Sequence, residues 1–344
     1  MAIGGGEYIP IQSMTNTDTH DVDATAAQIR ALIAAGCDIV RLTVPDEEAA
    51  EAFRQIREKL PDARLVADIH FDYRVALKCA EYGVDKIRIN PGNIGDGERV
   101  RQVAAACKLR NIPIRIGVNS GSLEKNLLEK YGSPTPEALF ESAMGHVALL
   151  NRYDFDDIVI SVKSSTVSSA VAANRFVSRN CSYPLHIGVT EAGSKRMGII
   201  KNAEAIGTLV SEGIGDTVRV SLTEDPVEEV YAAKDILRSL GCPGHIGMDI
   251  VSCPTCGRTK INLCSLVASF EKAAREENLM DLPVKVALMG CIVNGPGEAR
   301  EADVGIAGGK GEALLFAKGE IIRKLPECDI IPVLINYIKE NFVK

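Results

Sequence analysis

Three cysteines in the last third of the chain have the spacing of ligands for a metal or a cluster. Cys253 and Cys256 form a C-x-x-C pair, and Cys291 follows in the run GCIVNGPGE. A zinc ribbon is expected to carry a second C-x-x-C pair, and a thioredoxin-like redox pair requires a βαβ context. Three thiolates with Glu298 as a fourth ligand suit a [4Fe–4S] cluster, which needs four ligands. From spacing alone, an iron–sulfur cluster, a zinc site and buried thiols all remain open.

Most of the other cysteines are expected to be small buried hydrophobic residues. Cys37, Cys79 and Cys107 stand in helix-like or strand-flanking runs, where a free cysteine packs like an aliphatic side chain. Cys264, in the apolar run NLCSLVASF, competes with Glu298 as a fourth ligand, but a core position is favoured. A chain of this length does not need disulfides, and the cytosol keeps thiols reduced.

Positively charged residues recur at one parity of several β-branched runs. In IRIN, outward-facing Ile87 and Ile89 place Arg88 and Asn90 on the inner face, because strand side chains alternate between faces. The same parity assigns further residues, most of them polar, to the inner face: Arg41, Asp68, His70, Arg115, Gly117, Asn119, Ser161, Lys163, His186, Gly188, Thr190, Arg219 and Ser221.

These inner-face cations predict an anionic ligand. Burying five cations together without anions costs many kcal/mol. A phosphate or diphosphate removes that cost, and the forked guanidinium of arginine matches phosphate oxygens. A purely structural polar network is the alternative. At the same mouth, Asp68, His70, His186 and Glu191 are candidates for proton transfer.

Eight short strands, each followed by a helix, are predicted to position these residues. The predicted strands are 9–14, 38–44, 64–70, 86–91, 113–119, 157–163, 184–190 and 217–222. The runs between them have helical spacing, and several open with Asp, Ser or Thr and close on Gly. This alternation predicts a (β/α)8 TIM barrel, with functional groups at the carboxyl ends of the strands. A doubly wound sheet is less favoured, because no G-x-G-x-x-G follows the first strand.

The regular alternation of predicted strands and helices ends after the barrel. We expect a TIM-barrel substrate-binding domain over residues 1–241, a linker over 242–247 and a smaller α+β domain over 248–344 that carries the cysteine site. In that last domain we predict a strand near 246–251, a helix near 261–277 and a strand at 284–290. Gly-rich, hairpin-like sequence then runs to 311, and a helix ends the chain.

Composition narrows the class of protein. The 344 residues are 46% hydrophobic and 25% charged, which is enough to bury a core and excludes a disordered chain. The net charge of −7 argues against a broad nucleic-acid surface. No run approaches the roughly 18 apolar residues of a membrane span. The beginning, MAIGGGEYIPIQSM, lacks the pattern of an export signal. We expect a cytoplasmic bacterial protein that contacts neither membrane nor nucleic acid.

Several longer stretches resemble one known family. The chain is similar to the bacterial 4-hydroxy-3-methylbut-2-en-1-yl diphosphate synthases of the non-mevalonate isoprenoid pathway. The matching stretches include IQSMTNTDTHDVDAT, LVADIHFDYRVALKCAEYGVDKIRINPGNIG, IPIRIGVNSGSLEK, LHIGVTEAGS, SEGIGDTVRVSLTEDPVEE, SCPTCGR and GCIVNGPGEA. They cover both predicted domains nearly end to end.

The resemblance implies an activity, a cofactor and partners. The reaction it implies is the reductive ring opening and dehydration of 2-C-methyl-D-erythritol 2,4-cyclodiphosphate to (E)-4-hydroxy-3-methylbut-2-enyl diphosphate. Two electrons arrive from reduced flavodoxin or ferredoxin through a [4Fe–4S] cluster, held in a domain resembling those of sulfite reductases. A homodimer is also implied, in which each cluster domain caps the partner's barrel.

The resemblance also assigns roles to individual residues. The implied cluster ligands are Cys253, Cys256, Cys291 and Glu298. The implied substrate-binding residues are Arg41, Arg88, Arg115, Asn119, Lys163, Thr190, Arg219 and Ser221. Asp68 and Glu191 are the implied acid/base carboxylates. Glu298 is given a catalytic role as well, because a carboxylate is a weaker ligand for iron than a thiolate and is the ligand expected to leave.

Two other classes of protein fit the same residues. One is a redox-inert, phosphate-binding barrel lyase or transferase, resembling pteroate synthases, with a structural zinc domain. The other is a zinc-ribbon binding module whose barrel senses a phosphorylated metabolite. Metal content separates the reductive enzyme from both, since only that enzyme requires iron and sulfide.

Overall fold

The chain folds into two compact units, each with its own hydrophobic core. The computed structural model describes residues 3–6, 8–90, 93, 97–291 and 301–343. The first unit is Met1–Gly244 and the second is His245–Lys344. In the described ranges, no helix is both long and apolar enough to cross a membrane.

Eight parallel strands form the centre of the first unit. They are β1 (Gln12–Met14), β2 (Ile39–Thr43), β3 (Leu65–Asp68), β4 (Lys86–Ile89), β5 (Ile114–Asn119), β6 (Ile158–Lys163), β7 (His186–Ile187) and β8 (Thr217–Val218). Strands β1 to β6 make one sheet in chain order, and β7 pairs with β8. Parallel bridges Ile160–Leu185 and Ile11–Val218 join β6 to β7 and β8 to β1. The ring is thereby closed, and the predicted TIM barrel is confirmed.

Helices follow the strands around the barrel. They are α1 (Val22–Ala34), α2 (Glu47–Lys59), α3 (Tyr73–Glu81), α4 (Gly97–Arg110), α5 (Lys125–Tyr131), α6 (Pro136–Asn151), α7 (Val167–Asn180), α8 (Lys195–Ser211) and α9 (Pro226–Ser239). Asp21, Asp46 and Thr135 accept backbone N–H bonds at helix starts, which satisfies donors that a helix leaves unpaired. The short helix α5 is an addition to the simple strand–helix alternation.

The core of the first unit lies between the strands and the helices. Ile87 and Ile89 of β4 are fully buried there, together with Leu32 of α1 and Phe53 of α2. Because outward strand positions supply this aliphatic layer, the inner face of the barrel is left to the polar residues of the opposite parity.

The second unit is a mixed sheet packed against helices, in agreement with the expected α+β domain. Its elements are β9 (Asp249–Ser252), α10 (Leu263–Glu276), β10 (Lys285–Met289), β11 (Val304–Gly308), β12 (Glu312–Ala317), β13 (Glu320–Pro326) and α11 (Ile330–Phe342). The strand order is β13-β12-β11-β10-β9. Strands β9, β10 and β11 are parallel, whereas β12 and β13 add antiparallel hairpins. Phe270 of α10 and Ile338 of α11 lie in one core cluster with Val286 of β10.

The expected burial of the cysteines holds at Cys37, Cys79, Cys107 and Cys242, which are buried. Cys181 is half-buried, and the expectation is wrong at Cys264 and Cys328, which are exposed. In α10, Leu263 and Phe270 face the core. Adjacent helical residues are turned by about 100° from each other, so position 264 points away from that face.

Candidate functional site

The inner face of the barrel brings the expected cations together. Arg88, Arg115 and Lys163, on β4, β5 and β6, are buried, and Arg41 and Arg219 are half-buried. In register, Arg88 lies beside Arg115 on the neighbouring strand, and Lys163 lies beside Asn119. Parallel strands place such neighbours on the same face of the sheet. One anion at the centre of the barrel can therefore contact several of these side chains.

Asp68 is the buried carboxylate that anchors two of the arginines. It accepts a hydrogen bond from Arg41, and its Oδ1 accepts one from Arg88 Nη1 at 3.1 Å. His70 Nε2 lies 3.9 Å from Oδ2 of the same carboxylate. Burial alone raises the pKa of a carboxylic acid, but the charges of Arg41 and Arg88 prevail and lower the pKa of Asp68 to about 2. Asp68 is therefore ionised at neutral pH.

Arg115 and Lys163 are basic side chains that no carboxylate among the described residues pairs with. Within the described residues, neither side chain has a carboxylate at ion-pair distance, and Arg115 Nε is buried without a hydrogen-bond partner. Burial, followed by the charges of nearby cations, lowers the pKa of Lys163 well below its ordinary value. Burial and the Arg41 and Arg88 charges act in the same direction on the pKa of Arg115. A bound anion would therefore stabilise the charged form of both side chains.

Two glycines make room for Arg88 and for the backbone of Arg219. A Cβ atom at Gly117 would lie 2.8 Å from Arg88 Nε. At Gly188, where φ is +148°, it would lie 2.1 Å from the backbone oxygen of Arg219. A larger residue would displace the Arg88 side chain at the first position and the backbone of β8 at the second.

Polar residues surround the carboxyl ends of the strands. Asn119 ends β5, and Thr190, Glu191 and Ser221 follow β7 and β8. Thr190 N donates to Ser164 O at 3.1 Å. Glu191 is exposed and adopts a left-handed backbone conformation, with φ of 53°. A non-glycine residue is uncommon in that conformation, and such residues concentrate at functional sites.

His186 lies inside the barrel, five residues before Glu191. It is a buried residue of β7, and its Nδ1 lies 2.7 Å from Thr217 Oγ1. Burial and the surrounding cations lower its pKa well below the ordinary value.

Lys86 is a sixth inner cation that the sequence analysis did not select. It is buried at the start of β4, two residues before Arg88, so the same parity rule identifies it. Burial, followed by the charge of Arg115, lowers its pKa to about 7.

Glu229 on α9 is a second residue that the sequence did not indicate. It links the segment around β8 to β1, the last and first strands of the barrel. Its carboxylate accepts hydrogen bonds from Leu222 N and Ser13 Oγ, both at 3.0 Å. It also lies 3.6 Å from Arg219 Nη2. Glu229 is buried, so it holds Arg219 where β8 meets β1. Nothing in the run PVEEVYAAK distinguishes this glutamate from an exposed one.

Two buried asparagines hold the carboxyl ends of neighbouring strands. Asn202 on α8 accepts from Val189 N at 3.2 Å and donates to Ser221 O at 3.5 Å. Asn174 on α7 donates to Val162 O at 3.1 Å. Since β7 and β8 have only two residues each, Asn202 supplies contacts that a longer ladder would make. Their long-range partners cannot be recognised from local spacing.

In the second unit, two loops bring the cysteines towards each other. Gly290 N donates to Cys253 Sγ at 3.3 Å, and Lys260 N donates to Gly290 O at 2.9 Å. The loop after Cys253 is therefore tied to the residue that precedes Cys291. Cys256 is exposed, Cys253 half-buried and Cys291 buried. Backbone and side-chain hydrogen bonds from Arg258 lower the pKa of Cys256, which favours the thiolate that a metal requires.

The donor set suits an iron–sulfur cluster, although the fourth position lies outside the described residues. Glu298 falls within residues 292–300, which lie outside the described ranges. Within the ranges that the structure describes, no three His, Cys, Asp or Glu side chains are arranged as a metal site. Three thiols from two connected loops, one receiving a backbone N–H bond, are nevertheless the soft ligands that iron–sulfur clusters use.

Together the two units define a class of protein, a cationic TIM barrel joined to a smaller cysteine-bearing domain. The model of the GcpE TIM-barrel domain matches residues 1–234, and that of the GcpE protein C-terminal domain matches residues 249–340. The chain belongs to the GcpE family.

Curated relatives cover nearly the whole chain and share one description, 4-hydroxy-3-methylbut-2-en-1-yl diphosphate synthase (flavodoxin). The protein from Ruminiclostridium cellulolyticum is 57% identical, with 98% of this chain and 94% of the relative covered. The one from Clostridium perfringens is 57% identical, with 98% and 95% covered. The one from Fusobacterium nucleatum is 54% identical, with 99% and 95% covered.

Proposed function

We propose that this chain catalyses the reductive ring opening and dehydration of 2-C-methyl-D-erythritol 2,4-cyclodiphosphate to (E)-4-hydroxy-3-methylbut-2-enyl diphosphate. The observation that supports this most strongly is the group of buried cations on the barrel's inner face, which includes Arg115 and Lys163, two cations that have no counter-ion in the described ranges. A cyclic diphosphate supplies the missing negative charge. The relatives' description agrees with this oxidoreductase activity and does not favour a redox-inert lyase or transferase.

The barrel cations bind and orient the diphosphate. Arg41 and Arg88 are held in place by Asp68, and Arg219 is held by Glu229. Arg115 and Lys163 meet the diphosphate directly, because no protein carboxylate competes for them among the described residues. Bidentate guanidinium–phosphate bonds fix the ring in one orientation. Asn119, Thr190 and Ser221, at the ends of their strands, add hydrogen bonds from neutral groups.

The two expected acid/base carboxylates have different roles. Asp68, with a pKa of about 2, carries no proton at neutral pH and positions the arginines. Glu191 is exposed at the mouth, where it exchanges protons with solvent, and it gives the departing hydroxyl a proton so that water leaves.

The cysteine site would hold the redox cofactor. Cys253, Cys256, Cys291 and Glu298 would bind a [4Fe–4S] cluster, which supplies electrons one at a time when bound. The Gly290 N–H bond to Cys253 Sγ stabilises negative charge on that sulfur, and Arg258 does the same for Cys256. The relatives' description supports reduced flavodoxin as the electron donor, and a ferredoxin is a second possible carrier. We propose the bacterial cytoplasm as the compartment of the reaction.

A homodimer completes the proposal, with each cluster domain capping the barrel of the partner. Phe71, just beyond the carboxyl end of β3, is 72% exposed and has His70 beside it. An aromatic side chain at a functional mouth is typical of a surface that a partner covers.

The test is turnover of the cyclic diphosphate by anaerobically prepared, cluster-loaded protein with dithionite as reductant. Mass spectrometry should detect the allylic diphosphate with the wild type and lose it in Cys291→Ser and in Arg115→Met. Arg110→Met, an exposed change at the end of α4, is the matched control and should remain active. A fully loaded wild type that leaves the cyclic diphosphate unchanged would refute the proposal.

A further inference from the structure

We propose that an acidic electron-carrier protein docks on a basic surface of the second unit, formed by Arg258, Lys260, Lys310 and Lys324. The relatives' description names a carrier but gives it no docking site. The inference rests on the proposed function, because a docking site for a carrier presupposes a redox cofactor at the cysteines.

The four residues surround one opening that leads to the cysteine site. They line a cavity of about 840 Å³ whose wall also contains Cys291. Arg258 and Lys260 come from the loop after Cys256, Lys310 from the turn between β11 and β12, and Lys324 from β13. All four are exposed. A protein bound over this opening would lie close to any cofactor that the cysteines hold.

The charge of this surface is opposite to that of the chain. The protein has a net charge of −7, yet Glu312 is the only carboxylate in the described lining of the cavity. Its Oε1 lies 2.6 Å from Lys324 Nζ. Among the described residues, Arg258, Lys260 and Lys310 have no ion pair of their own. Clustered charges of one sign raise the association rate of an oppositely charged partner.

The substrate does not explain these cations. Six basic side chains already lie on the inner face of the barrel, where Arg115 and Lys163 have no counter-ion among the described residues. Arg258, which bonds to Cys256, and the unpaired Lys260 and Lys310 add three cations beside the cysteines, which is more than a single diphosphate requires. An acidic protein, which presents many carboxylates at once, matches an exposed basic rim better. A carrier must also leave after each electron, and a rim of exposed charges gives a fast and weak association.

The experiment compares two reductants on charge-reversal variants of the loaded enzyme. Lys310→Glu and Lys260→Glu should each raise the KM for reduced flavodoxin by about fivefold at low ionic strength. Both variants should keep wild-type turnover with dithionite, a small reductant that needs no docking surface. Lys272→Glu is the matched control, since Lys272 is exposed on α10, outside the cavity lining, and the change in net charge is the same.

Binding of oxidised flavodoxin gives a second readout that does not depend on turnover. Flavin fluorescence should show that Lys310→Glu and Lys260→Glu weaken binding and that added salt removes the difference from wild type. Unchanged KM and unchanged affinity in both variants would overturn the docking site. Equal losses with flavodoxin and dithionite would overturn it too, because the residues would then serve the substrate or the cofactor. If the wild type fails with both reductants, the proposed function fails, and the binding measurement still decides the docking site.

Discussion

At the scale of single residues, Arg115 and Lys163 show how this barrel differs from one with an apolar interior. TIM-barrel interiors are usually filled by Val, Ile and Leu. Here β5 and β6 point cations inwards, and the described residues supply no carboxylate to pair with Arg115 or Lys163. The free protein is therefore less stable than it would be with apolar residues, and an anionic ligand recovers the difference.

Arg115→Met should weaken the binding of inorganic diphosphate by roughly 10- to 100-fold, since a hydrogen bond to a charged group contributes about 1.5–3 kcal/mol. The same change should leave the melting temperature of the ligand-free protein equal to wild type or higher, because it removes a buried cation without a partner. Calorimetric titration and thermal unfolding check the two effects. A lower melting temperature with unchanged affinity would show that Arg115 is structural.

Lys86 predicts a dependence of stability on pH. Its pKa is lowered from 10.5 to about 7 in the folded protein, so between these values the unfolded chain binds more protons than the folded one. The contribution of Lys86 to the free energy of unfolding therefore rises as pH increases from 7 to about 10. Lys86→Met should raise stability at pH 7 and flatten the curve, as measured by urea unfolding. Two parallel curves would exclude a lowered pKa at Lys86.

At the scale of elements, the strands that precede Thr190 and Ser221 are stabilised largely by side chains of the surrounding helices. Strands β7 and β8 are two residues long, so few ladder bonds fix their carboxyl ends. Asn202 of α8 and Glu229 of α9 form hydrogen bonds with backbone groups of Val189, Ser221 and Leu222. The helices around this half of the barrel therefore position the mouth as well as cover the core.

Asn202→Ala should lower the free energy of unfolding by about 1–3 kcal/mol, because it leaves a buried N–H at Val189 without its partner. It should also raise the KM for the cyclic diphosphate, since Thr190 and Ser221 lose their support. Asn180→Ala is the matched control, because the side-chain hydrogen bond that the described residues give this exposed asparagine lies within α7, to Phe176 O. Denaturant unfolding and steady-state kinetics separate the effects. Equal results for the two variants would contradict a positioning role.

At the scale of the whole molecule, the units differ in how much of them follows from local sequence. Alternating strands and amphipathic helices predict the barrel, because each pattern can be recognised within one continuous segment of the sequence. The parity of those strands also finds the inner cations. The roles of Glu229 and Asn202 depend on contacts between distant segments, which no local pattern records. The roles of Cys253, Cys256 and Cys291 follow from spacing together with the family, and Glu298 lies outside the described residues.

Complementation between two inactive variants tests the proposed assembly. Arg115→Met disables the barrel and Cys291→Ser disables the cysteine site. If each barrel works with the partner's cluster domain, a mixed dimer contains one intact pair, and mixing the variants should restore turnover. The recovered rate should be a fraction of wild type and should appear at the rate of subunit exchange. No recovery after confirmed exchange would show that barrel and cluster domain act within one chain.

We propose that the second unit holds an iron–sulfur cluster serving a diphosphate-binding barrel. The most direct test is the content of iron, zinc and acid-labile sulfide per chain in protein prepared without oxygen. We expect about four iron and four sulfide, lost in Cys291→Ser. One zinc and no sulfide would contradict it, leaving an anion-binding barrel with a structural zinc domain.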